Sequence, residues 1–168
     1  MRAKGGSRLA LRIAQAISYD CPRTREGFRL DYQYSISLRI RHPHLDLSRA
    51  AEVFGLGASS AWRLGERRKT PKGALLEGIR SDSFWTARLE DGSSATRSLP
   101  VALSDAVERL KVGAVFLREL AEEGGRSELF IGWFFDDGNS GDVLSFELLQ
   151  RLAELKLDLS FDVYGGPG

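Results

Sequence analysis

The chain has 168 residues, 42% hydrophobic and 28% charged, with a formal net charge of +1, a size that suits one globular domain with a full core. No stretch reaches the roughly 20 apolar residues of a membrane span. The start "MRAKGGSRLALRIAQAI", interrupted by Arg12, lacks the uninterrupted apolar core and small-residue cleavage site of a secretory signal.

Cys21 is the single cysteine, so an intrachain disulfide and a cysteine-based zinc centre are both excluded, and a reducing, cytoplasmic setting is expected. The near-neutral total hides a segregation of charge. Residues 1–30 hold 7 Lys and Arg against 2 Asp and Glu; residues 60–73 hold 5 against 1; residues 74–168 hold 9 against 17. An acidic body thus bears a basic arm and a basic loop. A dedicated nucleic-acid domain has a larger excess of cations. The pattern suits a charged protein partner or self-association about as well as nucleic acid.

In chain order, residues 1–30 read as a flexible basic N-terminal arm. Leu9, Ile13 and Ile17 sit at helical spacing, and "YDCPRTREG" then breaks any regular element. Residues 31–168 read as a single α+β domain. In "YSISLRIR", residues 34–41, Ile36, Leu38 and Ile40 alternate with Ser and Arg, which predicts a strand with one buried and one wet face. A short helix through "LSRAAEVF" follows, with Asp46 as its N-cap and Gly55 just past its end. The stretch "SAWRLGERRKTPKG", residues 60–73, then reads as a long basic loop, with an extended piece at 74–80. "FWTARLE", residues 84–90, is a second alternating strand.

The spacing of Leu103, Val107, Leu110, Ala114, Leu117 and Ala121 predicts one helix over 101–123, stopped by Gly124 and Gly125. "SELFIGWFFD", residues 127–136, is apolar on both faces and reads as a central strand. A helix over 146–156, capped by Ser145, and a last alternating strand over 157–164 complete the order β-α-β-α-β-α-β. Clean alternation in three strands argues against a doubly wound parallel sheet, whose strands are apolar on both faces. The predicted fold is a two-layer α+β sandwich: a four-stranded, mostly antiparallel sheet with helices on one face. It would be a ferredoxin-like variant in which 34–90 and 127–164 repeat a strand–helix–strand unit.

Four pieces of this pattern resemble a known family. They are the strand and helix from Ile36 to Phe54, "AWRLGERR" with Trp62 and Gly65, "TPKGALLEG" followed by "SFWTARL", and the ending "LSFELLQRLAELKLDLSFDVYG". Over residues 34–165 the chain resembles the bacterial family labelled domain of unknown function 4279. The resemblance brings no activity, cofactor or catalytic residue with it. By analogy with small bacterial proteins of this kind, it implies an immunity or accessory role in a toxin system.

Candidate chemistry is sparse. The basic stretch is not a Walker loop, because Thr70 stands five residues after Gly65 where that loop needs a second glycine. It could grip anionic oxygens through Arg63, Arg67, Arg68, Lys69 and Lys72, with Trp62 stacked on a base. The competing expectation is a solvated loop that Trp62 anchors to the core. "GLGASS" follows a helix and lacks the strand–turn–helix setting of a dinucleotide site, so no cofactor is expected. His42 and His44 share a face of an extended segment and could hold a metal for a small hydrolase, but no third ligand is evident. Asp136, Asp137, Asn139 and Asp142 form an oxygen-rich turn too short for a calcium loop. On the helix-free side of the sheet, Arg39, Arg41, Arg88, Asp158, Asp162 and Tyr164 are expected to point outward, joined by Phe130 or Trp133. A charged face with an exposed aromatic is a contact surface. The expected function is a non-enzymatic binding module for a protein partner. Nucleic-acid or phosphate binding and a His42/His44 metal hydrolase are the alternatives.

Overall fold

The structure is a computed structural model that describes residues 32–91, 97–135 and 141–165. The basic arm of residues 1–30, including Cys21, lies outside these, as do Asp136, Asp137 and Asn139. The alternating run becomes strand β1 (Tyr32–His42), with Ile36, Leu38 and Ile40 wholly buried on one side. Helix α1 (Arg49–Phe54) ends at Gly55, whose φ of 62° is the left-handed conformation that suits glycine. Its N-cap is Ser48, not Asp46. Asp46 instead accepts a hydrogen bond from the Ser48 N–H at 2.9 Å, a turn just ahead of the helix.

The stretch expected to be a loop is built of strands. Strand β2 (Ser60–Trp62) leads into a hairpin of β3 (Arg67–Lys69) and β4 (Leu75–Ile79). Across its tip the Thr70 N–H donates to the Ala74 carbonyl at 2.8 Å and the Ala74 N–H donates to the Thr70 hydroxyl at 3.1 Å, and Gly73 turns there at a φ of 86°. The extended piece expected at 74–80 is β4; local alternation could not reveal β3, because every residue of it is exposed and no buried face marks it.

Strand β5 (Ser83–Asp91) follows. The helix expected over 101–123 is broken into α2 (Leu99–Leu110), a 3-10 turn at Lys111–Gly113, and α3 (Ala114–Glu122). The break has a steric cause. A Cβ on Gly113 would lie 2.2 Å from the Phe54 ring, so α1 can seat here only on a glycine. Glycine is also the weakest helix former after proline. Strand β6 (Arg126–Phe135), helix α4 (Phe146–Glu154) and strand β7 (Leu157–Tyr164) complete the fold. The Ser145 hydroxyl caps α4, accepting from the Leu148 N–H at 3.4 Å.

The main sheet has five strands in the order β2-β5-β1-β6-β7, not four. It is also mixed: β1 pairs antiparallel with β5 and β6, but β6 and β7 run parallel. The expected ferredoxin-like sheet and internal repeat are corrected accordingly. The first strand–helix–strand unit closes antiparallel and the second closes parallel around α4, so the two are not copies. Leu99, Leu103, Val107 and Leu110 of α2, Leu117 of α3 and Leu148 of α4 pack with Ile36, Leu38 and Trp85 of the sheet into one core. The helices therefore cover one face of the sheet. Among the described residues, no helix is long and apolar enough to cross a membrane.

Candidate functional site

The uncovered face of the sheet carries an ordered array of charged and aromatic side chains. Pairing register places its side chains in rows across the strands. Trp62 of β2 lies opposite Phe84 of β5, which lies opposite Arg41 of β1, which lies opposite Arg126 of β6. The next row runs Ser60, Thr86, Arg39, Glu128 and Asp158. Beyond it come Arg88, Ser37, Phe130 and Ser160, and finally the pair Phe134 and Tyr164. The face expected from alternation is thus assembled: Arg39, Arg41, Arg88, Asp158, Asp162 and Tyr164 all share it. The aromatic left open between two positions is Phe130; Trp133 has the opposite parity and packs against Tyr32 on the helix side.

Guanidinium groups stack on aromatic rings along this face. The Arg39 guanidinium sits 3.2 Å from the Phe130 centroid and makes a long 3.8 Å contact with Glu128. At the β2 edge, Trp62 stacks on Phe84 at 4.2 Å, and Arg80 lies 3.8 Å from the Trp62 centroid. A phenyl ring and a guanidinium this close to one centroid occupy its two faces. Trp62 therefore has no face left for a nucleobase, and it is anchored on the open side of the sheet rather than in the core. Asp82 ties the cluster together, accepting from the Trp62 indole N–H at 3.2 Å and from Arg41 at 2.9 Å. At the far end, Phe134 and Tyr164 stack 4.8 Å apart and nearly parallel, 40% and 48% exposed. Tyr164 donates to Asp162, and that bond pushes its phenol up. Gly132 gives Phe134 room, since a Cβ there would meet the Ser35 hydroxyl at 2.9 Å and the Phe134 ring at 3.2 Å.

Partial burial would raise the Asp82 pKa, but the hydrogen bonds from Trp62 and Arg41 outweigh it and hold the carboxyl below its usual value. A depressed carboxyl stabilises the cluster above its unfolded pKa of about 3.9 and loses that contribution as pH falls through the lower folded value. The Trp62 indole N–H resonance is therefore expected to hold steady from pH 7 to about pH 4 and to move only below that. Asp82→Asn should remove the transition; a midpoint above pH 4 would contradict the assignment.

The other sequence candidates disperse. Arg63 pairs with Asp46 at 3.1 Å near α1, whereas Arg67, Arg68 and Lys69 stand exposed on the hairpin. His42 is buried, and its Nδ1 accepts the backbone N–H groups of His44 at 3.0 Å and Leu45 at 2.7 Å. That nitrogen locks a turn, while His44 is exposed and Asp46 engages Ser48 and Arg63. No third ligand joins His42 and His44 among the described residues. Among the described residues, no three His, Cys, Asp or Glu side chains gather as metal ligands. Asp142 accepts from the Tyr32 hydroxyl, which also accepts from the Leu99 N–H at 3.0 Å. It is a structural tie between loop and helix. Burial first, and Asp142 second, push the Tyr32 phenol well up.

Local reading passed over Phe134, Arg126, Arg80 and Asp82. Phe134 was within reach: Glu128 marks the wet parity of β6, and Phe130 and Phe134 share it. Arg80 and Asp82 become neighbours of Trp62 only through the hairpin, which no local pattern announced.

The family described as domain of unknown function (DUF4279) matches residues 32–166, and the chain belongs to it. No curated protein and no solved structure matches it.

Proposed function

We propose that this member of the DUF4279 family is a binding module that docks a protein partner on the open face of its sheet. The observation that supports this most is the exposed, stacked pair Phe134–Tyr164 on a face otherwise lined with charge. Solvent-facing aromatics contribute little to a fold and much to an interface, where Tyr, Trp and Arg dominate the binding energy. The stacked arginines fit the same use. Arg39 and Arg41 are already oriented by Phe130, Phe84 and Asp82, so less side-chain freedom is lost on docking. A toxin is one partner this covers, and co-expression rescue against a neighbouring toxin gene tests that version.

The hairpin favours a second reading, nucleic-acid binding. Arg67, Arg68, Lys69 and Lys72 are exposed on it. Against this, both faces of Trp62 are taken, and Glu128, Asp158 and Asp162 make the open face mixed in charge. One experiment separates the two: affinity capture from the native host, with and without nuclease, read by mass spectrometry. A specific protein that survives nuclease is the expected result. Capture that nuclease abolishes, and that weakens steeply with salt, would transfer the function to the hairpin. Recovery of nothing across conditions would count against both.

A further inference from the structure

A cavity of about 550 Å³ opens on the sheet face between β1, β6 and β7, lined by Arg39, Arg41, Arg126, Glu128, Asp158 and Ser160 among others. Its charges are arranged against themselves. Arg41 lies directly opposite Arg126, and Glu128 lies directly opposite Asp158. Like charges directly opposite one another are destabilising in a sheet, and here two such pairs stand in adjacent rows. They do not cancel each other closely. Arg39 and Glu128 approach only to 3.8 Å, and among the described residues Arg126 and Asp158 have no ion-pair partner. Arg41 is held by Asp82 at 2.9 Å and by the Phe84 ring at 4.5 Å, so its position does not depend on a ligand.

The two rows are two residues apart along the strands, or about 7 Å at about 3.3 Å per residue. Side chains stand roughly perpendicular to a sheet, so the Arg41–Arg126 pair and the Glu128–Asp158 pair face one cavity at about that spacing, with Arg39 beside Glu128. We propose that this cavity seats a dipolar ligand, with a carboxylate on Arg41 and Arg126 and an ammonium or guanidinium on Glu128 and Asp158. A simple anion such as phosphate satisfies the arginines but leaves the Glu128–Asp158 pair unmatched; a simple cation does the reverse. A molecule bearing both charges relieves both repulsions at once. The same chemistry is available from a free ω-amino acid or from neighbouring acidic and basic side chains of a docked protein.

The probe is 4-aminobutyrate, which carries both charges on a short flexible chain, compared with butyrate and butylamine. Titrations are followed by NMR at the amides of residues 39, 41, 126, 128 and 158 and at the arginine side-chain N–H groups. The expected result is shifts in both rows and binding at least about fivefold tighter than either singly charged analogue, as for two charge-assisted contacts against one. Arg126→Gln should weaken 4-aminobutyrate and butyrate together. Asp158→Asn should weaken 4-aminobutyrate and butylamine together and leave butyrate unchanged. Equal binding of the three probes, or no shift from 4-aminobutyrate, would overturn the proposal. Because the titration needs no partner, its outcome is independent of the docking reading. With a captured partner in hand, saturating 4-aminobutyrate releases it if the partner supplies the charge pair and leaves it bound if the ligand is a free molecule.

Discussion

Replacing Phe134 and Tyr164 together by serine is expected to weaken partner capture by at least about 30-fold, the loss of roughly 2 kcal/mol that marks an interface hot spot. The two rings stack on each other at 4.8 Å and stand 40% and 48% exposed, so their removal opens no sealed cavity. The melting temperature should fall by only a few degrees, the scale of about 1 kcal/mol in a domain of this size. Val112→Ser supplies the control. Val112 is 72% exposed on the 3-10 turn, away from the open face, and its loss should leave capture unchanged. Equal weakening by both variants would point to a general loss of fold; no weakening by the double variant would remove the aromatic pair from the interface.

The second large effect concerns the fold. Gly113→Ala is expected to destabilise by about 2 kcal/mol or more, as overpacking does. The added Cβ would fall 2.2 Å and 2.6 Å from two atoms of the Phe54 ring and 3.0 Å from Val53. The φ of Gly113, −97°, is open to alanine, so the cost is steric rather than conformational. Phe54 is packed against the core beside Trp85 and Phe116, 6.3 Å and 6.0 Å away, and cannot swing out without loosening α1. Thermal unfolding of Gly113→Ala, Phe54→Ala and the double variant checks this. The double variant should be distinctly more stable than the sum of the single losses predicts, because one change removes what the other collides with. Full stability of Gly113→Ala would mean that α1 does not sit on the glycine.

These two sites mark where sequence periodicity succeeds and where it stops. The alternation of β1, β5 and β7 located the strands and sorted their side chains to the correct faces, because period two is a direct consequence of the pleat. Arg39, Arg88, Asp158, Asp162 and Tyr164 were placed together on that ground alone. The stripe over 101–123 was equally clear, yet the helix breaks at Gly113, where the deciding neighbour is Phe54, 59 positions away. A helical period registers the buried face of an element but not what presses on it. The extended piece at 74–80 is legible and is β4, but its pairing with β3 is not, for a related reason: with no buried side, the residues of β3 obey no pattern. The parallel closure of β6 on β7 was also beyond local reading, since both directions present the same alternation.

The basic stretch changes most between sequence and structure. Its cations separate, with Arg63 drawn to Asp46, Arg67, Arg68 and Lys69 carried out on the hairpin, and Trp62 held between Phe84 and Arg80. The tryptophan acts as a pillar that positions Arg41 through Asp82, and the candidate contact surface moves from the stretch itself to the sheet beside it.

Site-specific photocrosslinking in the native host tests the location of that surface most directly. p-Benzoylphenylalanine would be placed in turn at Ser37 and Ser160 on the open face and at Val112 on the opposite side. Positions 37 and 160 are expected to crosslink to the same protein, and position 112 is not. Crosslinks from position 112 alone, or none from either open-face position while the partner is still captured, would contradict that location.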